Sequence, residues 1–377
     1  MNNDERRRAG ALERWLPERL GVPRVQVSEL ARSGEGSSNE TVVFTASWPE
    51  RGQPRTRKLV LRVQPSEHQL FLAPDAVREA RVVQAVAAAS VVPVPSVIGA
   101  EPDASLIGAP FFVMEHLDGR TLRDVPSMHA VGWLTDLAAE ARTRHYVHGL
   151  EALAGIARMP ADDLGFLARA GGGTPLEQLV DATEAYFDWA SAGRDLGVVT
   201  VAMQEVRRRV PDHGDAALSW GDARPGNLLF AEDGSVAAVL DWEMAELGPA
   251  EVDLGWWLVT EEFYSAGLGV QMLPGVPDHA QTVALWQELV GRAPRELDYY
   301  KLLAGLRFSL VLVRARDLNV ARATLGPEST MHTHNPMTQV LARLLERPVL
   351  ELAPEFADIV DRYAATRDAA TAAPVQD

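Results

Sequence analysis

The hydrophobic periodicity of this chain of 377 residues changes about a third of the way along, and that change limits the folds open to it. Up to residue 116, short β-branched runs alternate with turn signals: Val25–Ala31, Thr41–Trp48, Lys58–Val63, Ser96–Ala100 and Pro110–Glu115. Runs of this length and composition predict a sheet of about five strands. One helix is expected among them, over Ala76–Ala89, opened by Pro74-Asp75 and closed before the proline-rich stretch at 91–95. From Leu117 onward a 3.6-residue period dominates, around Trp133–Ile156, Pro175–Ala190, Val198–Val210, Val252–Phe263, Pro277–Val290 and Arg295–Val320. The expectation is α+β, with a strand-rich region over 1–116 and a helical region over 117–377. The length exceeds what one core usually organises, so two lobes with a ligand site between them are predicted.

Composition narrows the chemistry. The chain has no cysteine, which removes disulfides, thiolate nucleophiles and thiolate metal sites and fits a reducing cytoplasm. Its N-terminus is charged and amphipathic without an apolar export core, so a cytoplasmic location is expected. The most apolar run, Leu302–Val313, is interrupted by Arg307 and is too short to span a bilayer. A formal charge of −16 repels nucleic acid and anionic lipid. It serves solubility, and it also favours cationic ligands.

The chemistry-bearing stretch is Ser219–Glu243, SWGDARPGNLLFAEDGSVAAVLDWE. Two short strands, Asn227–Phe230 and Val236–Leu240, are joined through Asp233-Gly234, a strong hairpin signal. Polar residues flank both strands where packing gives them no reason to be. Phosphoryl transfer needs a carboxylate to orient a hydroxyl and take its proton, and oxygen ligands for the Mg²⁺ that bridges the phosphates. Asp222, Asn227 and Asp241 supply that set on a D-x₄-N loop and the end of the following hairpin.

This segment resembles the catalytic core of the aminoglycoside phosphotransferase and choline kinase family, whose pattern is H-G-D-x₄-N, a hairpin and I/L-D-W/F. More narrowly, GDARPGNLLF and AVLDWEMAELGPAEVDLGW resemble the branch that includes kinase domains fused to acyl-CoA dehydrogenases. The resemblance implies a bilobal protein-kinase-like fold: a nucleotide-binding small lobe with an antiparallel sheet plus one helix, and a large helical lobe for catalysis and acceptor binding. It implies ATP or GTP as co-substrate, a small-molecule acceptor, and direct in-line transfer with Asp222 as base and Asn227 and Asp241 on Mg²⁺. Gly36-Ser37-Ser38-Asn39-Glu40-Thr41 looks like the family's G-x-S-N-x-T turn over the phosphates. Arg62 takes the place of the usual phosphate-binding lysine, and its fork matches phosphate oxygens. Glu79 shares a helix face with Val82, Val83 and Val86, so a buried cation is expected beside it, with Arg62 the natural candidate. Met114, Glu115, His116 and Leu117 would line the adenine slot.

Departures and open readings accompany the resemblance. Trp220 stands where the family has histidine, so a nucleotide-binding relative without turnover is an alternative. Glu243 either serves a second Mg²⁺ or the acceptor, or caps the following loop. Asp253 is expected to brace the catalytic loop, through Arg224. Arg307 needs either an internal carboxylate or an anionic acceptor, whereas Asp181, Glu184, Asp188, Glu261 and Glu262 would suit a cationic amino sugar if they converge. An anionic hydroxy acid or hydroxyacyl-CoA therefore competes with an aminoglycoside as acceptor. His332 and His334 read as a solvated loop. No H-R-D, D-F-G or A-P-E landmark of protein kinases is present. Neither nucleic acid nor membrane is expected as a partner, and the chain would act as a monomer or homodimer.

Overall fold

A computed structural model describes residues 3–32, 39–50, 52–67, 69–159, 161–169, 171–212 and 216–372. The chain divides into two compact units. The first comprises Met1–Asp118 together with Ala238–Glu243, and the second comprises Gly119–Ala237 and Met244–Asp377. A cut near residue 116 was expected; the return of Ala238–Glu243 to the first unit was not.

In the first unit, strands β1 (Gln26–Arg32), β2 (Glu40–Glu50), β3 (Gln53–Val63), β4 (Val97–Glu101) and β5 (Phe111–Glu115) form one antiparallel sheet in the order β1-β2-β3-β5-β4. Alternation decides its faces: Val42, Phe44, Ala46 and Trp48 are all buried on one side of β2. That side packs on helix α1 (Asn3–Leu20) through Leu12, Trp15 and Leu16. Trp15 stacks against Phe111 with centroids 5.0 Å apart, and its indole N–H donates to Glu101 over 2.8 Å. Helix α2 (Ala76–Ala89) clusters with Phe112 of β5 through Ala76 and Ala80. Its N-terminus is capped as expected, Asp75 accepting from the Arg78 amide at 2.8 Å. Helix α1 joins the expected sheet and helix as an element the sequence did not announce. Its charged surface positions obscured an apolar stripe long enough to cover the sheet.

The second unit is built on α3 (Ala139–Ala157), α4 (Pro175–Ser191), α5 (Val198–Arg208), α6 (Glu251–Tyr264), α7 (His279–Val290), α8 (Leu297–Ala321), α9 (Pro336–Leu344) and α10 (Pro354–Ala372). Short strands β6 (Ala217–Ser219) and β9 (Glu246–Gly248) pair antiparallel, and β7 (Leu228–Phe230) forms a two-stranded sheet with β8 (Val236–Val239). Nearly every residue of α6 is buried, because it packs into the centre of the unit rather than on its surface. The chain passes α6 so close to α8 that a Cβ on Gly255 would lie 2.6 Å from the Tyr300 carbonyl oxygen. Among the described residues no helix is long and apolar enough to cross a membrane.

That approach is testable. Gly255→Ala should destabilise the protein by about 2 kcal/mol, since helix backbones must separate to admit the methyl group. Denaturant unfolding measures it, and a midpoint equal to wild type would contradict the close packing.

Candidate active site

The β-ladder places Arg62 opposite Thr41 of β2 and Phe112 of β5. From there its Nη1 donates to Thr41 Oγ1 over 3.1 Å, while Nη2 reaches Glu79 Oε1 at 3.0 Å and Asp241 Oδ1 at 3.1 Å. Glu243 lies 3.9 Å from the same nitrogen. Glu79, on the inner face of α2, is itself held by the Asn39 amide at 2.9 Å. The ion pair expected between Arg62 and Glu79 is thus present, and Asp241 and Glu243 extend it. Burial alone would lower the Arg62 pKa, but these carboxylates more than reverse it and keep the guanidinium charged. Burial raises that of Glu79, with Arg62 and Asn39 pulling against it. Two buried atoms here, Arg62 Nε and Asn39 Oδ1, have no hydrogen-bond partner among the described residues. Asp241, two residues past the end of β8, has φ of +60°, a left-handed conformation. Gly36, Ser37 and Ser38 lie outside the described residues.

In the second unit Asp222 sits on the loop between β6 and β7. Arg224 Nε donates to both its oxygens at 3.0 and 2.9 Å, Trp256 Nε1 donates to Oδ1 at 2.8 Å, and Asn227 Nδ2 to Oδ2 at 2.6 Å. Asn227 Nδ2 also donates to the Asp222 carbonyl at 3.0 Å, so both amide hydrogens face Asp222 and its own oxygen is left as the group for a cation. The loop is held by Asp253 at the start of α6, which accepts from Ser219 Oγ at 2.7 Å and from the amides of Trp220 and Gly221 at 2.7 and 3.0 Å. Burial pushes Asp253 up in pKa, and these three donors hold it back. The brace therefore acts on the backbone. Arg224, expected to mediate it, instead bridges Asp222 to Asp124. Trp220 is fully buried in place of the family histidine. Gly221, at φ +92°, lies where a Cβ would be 2.2 Å from the Met244 carbonyl oxygen, so only glycine fits.

The remaining residues are placed more plainly. The amides of Glu115 and His116 donate to the carbonyls of Ser96 and Lys58, so those two donors are already engaged. The acidic set is divided among separate partners: Asp181 and Glu184 pair with Arg207, Glu262 pairs with Arg343, and Glu261 is buried against His129 and Tyr146. Among the described residues no cluster of three His, Asp or Glu side chains forms a metal site, His332 and His334 included. Asp124 and Trp256 escaped the sequence reading. Asp124 is a hundred positions from Arg224, and Trp256 belongs to a run that reads as core.

Comparison with known proteins adds to this geometry. The family model described as the phosphotransferase enzyme family matches residues 29–286. Acyl-CoA dehydrogenase family member 10 of Mus musculus is 31% identical over 249 residues, covering 65% of this chain and 22% of that protein. The chain thus spans well under half the length of that relative. A protein from Ralstonia eutropha JMP134, provisionally named an aminoglycoside phosphotransferase, superposes with a TM-score of 0.62 at 22% identity, covering 94% of this chain and 98% of that one. A thermostable mutant of aminoglycoside phosphotransferase APH(4)-Ia, in a complex with ADP and hygromycin B, gives 0.53 at 18% identity, covering 89% and 98%. These structures establish the fold, α+β and kinase-like.

The arrangement around Arg62 sets up a double-mutant cycle in stability. Arg62→Met should cost about 3 kcal/mol, because Glu79 then loses its buried counter-charge. Glu79→Gln should cost less, about 1 kcal/mol, since the guanidinium keeps Asp241 and Glu243. The double variant should be more stable than the summed single losses imply. Additive losses in denaturant titrations would show that the two groups do not support each other.

Proposed function

Because the chain belongs to the phosphotransferase enzyme family, we propose that it moves the γ-phosphoryl group of ATP or GTP onto a hydroxyl of a small molecule. The observation that carries this is the environment of Asp222, a carboxylate fixed by Trp256, Asn227 and Arg224 on a loop anchored by Asp253. It is the group that orients the acceptor hydroxyl and takes its proton as the bond to phosphorus forms. All its lone-pair directions are occupied, so a hydroxyl must displace one donor. Arg224 is the donor able to yield, since Asp124 retains it.

Arg62, its Nε unpartnered among the described residues, is the proposed contact to the phosphates, with Glu79 holding the arginine and Asn39 holding Glu79. Three carboxylates, Glu79, Asp241 and Glu243, lie around this one guanidinium. A nucleoside triphosphate travels with a divalent cation, and the Asp241 carboxylate and the Asn227 amide oxygen are the oxygen donors proposed for Mg²⁺. Bound Mg²⁺ neutralises charge on the phosphates. The residues do the rest: they orient the acceptor, hold the nucleotide and accept a proton at Asp222. Met114, Glu115, His116 and Leu117 are proposed to meet the nucleobase.

The direct test is a panel of hydroxyl-bearing small molecules screened for ATP-dependent mass gain of one phosphate. Asp222→Asn should leave nucleotide affinity within about threefold of wild type and lower kcat by about a thousandfold or more, since it keeps shape and loses the proton acceptor. Turnover near wild type would remove Asp222 from that role. Asp241→Ala is expected to weaken binding of Mg²⁺-ATP by about tenfold or more, read by calorimetry, because an oxygen ligand is gone. Unchanged affinity would argue against Asp241 as a metal ligand.

A further inference from the structure

The second unit buries a charge that the assignments above leave unused. Arg307, midway along α8, is 7% exposed, and its Cζ lies 5.5 Å from the centroid of the Trp256 ring. Nη1 is buried with no hydrogen-bond partner. Among the described residues no ion pair or hydrogen bond reaches the guanidinium. Buried polar groups in native proteins are almost always satisfied, so an orphaned cation calls for an explanation.

An internal counter-ion is the first explanation, and the surroundings argue against it. The charges that act on Arg307 are the carboxylates Glu246, Asp253 and Asp222 and the guanidinium of Arg169. Each carboxylate is engaged elsewhere. Glu246 accepts from Arg169 Nη2 at 2.5 Å, Asp253 from Ser219, Trp220 and Gly221, and Asp222 from Arg224, Trp256 and Asn227. The Trp256 indole that Arg307 approaches donates through Nε1 to Asp222 Oδ1. The free cation and the proposed base therefore meet one aromatic ring, the first at its face and the second at its N–H edge. A guanidinium beside an indole keeps its in-plane N–H groups for an oxyanion.

We propose that Arg307 binds an oxyanion of the acceptor, a carboxylate or a phosphate ester, and so selects anionic hydroxy compounds over amino sugars. The proposal rests on the kinase reading of Asp222. It fits a chain whose net charge of −16 repels anions in general: an anionic acceptor needs a dedicated cation at its destination.

The test uses the full chain with ATP and Mg²⁺ and compares acceptors that share a carbon skeleton: short ω-hydroxycarboxylates, their methyl esters, the corresponding hydroxyalkyl phosphates and amino alcohols, with an amino sugar alongside. Wild type is expected to prefer an oxyanion member over its neutral partner by about thirtyfold or more in kcat/KM, and the carboxylate and phosphate arms identify which anion it takes. Arg307→Gln should remove that preference through KM, leave kcat within about threefold and leave Tm unchanged or raised, because an unpaired buried cation is removed. Arg307→Lys should keep part of the preference. As a check independent of any variant, the preferred acid lacking its hydroxyl should compete with the acceptor, while its amide should not. Equal use of acid and ester, preference for an amine, or a lowered Tm with KM raised alike for acid and ester would overturn the role of Arg307 and leave the kinase reading standing. Phosphorylation of no panel member by wild type would overturn both.

Discussion

The loop that carries Asp222 in the second unit depends on one buried carboxylate. Asp253 accepts a hydroxyl and two consecutive backbone amides from Ser219, Trp220 and Gly221, the residues that lead into Asp222. Backbone amides have no rotamer freedom once the peptide planes are set, so the two amide bonds to one carboxylate determine the direction in which the chain enters the loop. Everything after it follows from that direction: Gly221 turning under Met244, Asp222 meeting the Trp256 indole, and Asn227 closing back on Asp222. Among the described residues no arginine lies at hydrogen-bond distance of this carboxylate; burial raises its pKa, and the three donors oppose that rise.

The first unit uses the opposite device. Arg62 is one cation shared among Glu79, Asp241 and Glu243, so its orientation is set by competing attractions rather than by a single partner. Such a group is fixed against rotation but remains electrostatically responsive, since any cation that takes up one of the carboxylates changes the balance on the guanidinium. Asp253 is a rigid anchor, and Arg62 is an adjustable one.

How far these features could be read in advance depended on their range in sequence. Helix α2 was expected over the residues where it forms, because proline, a capping aspartate and a helical apolar face all signal locally. The same face made Glu79 conspicuous and led to Arg62. The hairpin β7–β8 was legible from Asp233-Gly234. Helix α1 was not, since charged residues occupy most of its surface and its apolar stripe reveals a role only once a sheet is present to receive it. Asp124 and Trp256 carried no local signal, and their importance lies entirely in where the fold brings Arg224 and Asp222. Whether the acidic residues converge was not legible along the chain: Asp181 and Glu184 pair with Arg207, Glu262 pairs with Arg343, and Glu261 meets His129 and Tyr146.

Trp256 is a plate with two independent surfaces. Its edge carries a single N–H, taken by Asp222, and its face carries the electron-rich area beside Arg307. A phenylalanine would keep most of the face and discard the edge, whereas a histidine would keep an edge donor and surrender much of the face. Chains descended from a common ancestor could therefore alter how the Asp222 carboxylate is held, or how the neighbouring charge is held, by different single substitutions at this one position. The indole joins the two functions in space while leaving them separable in inheritance.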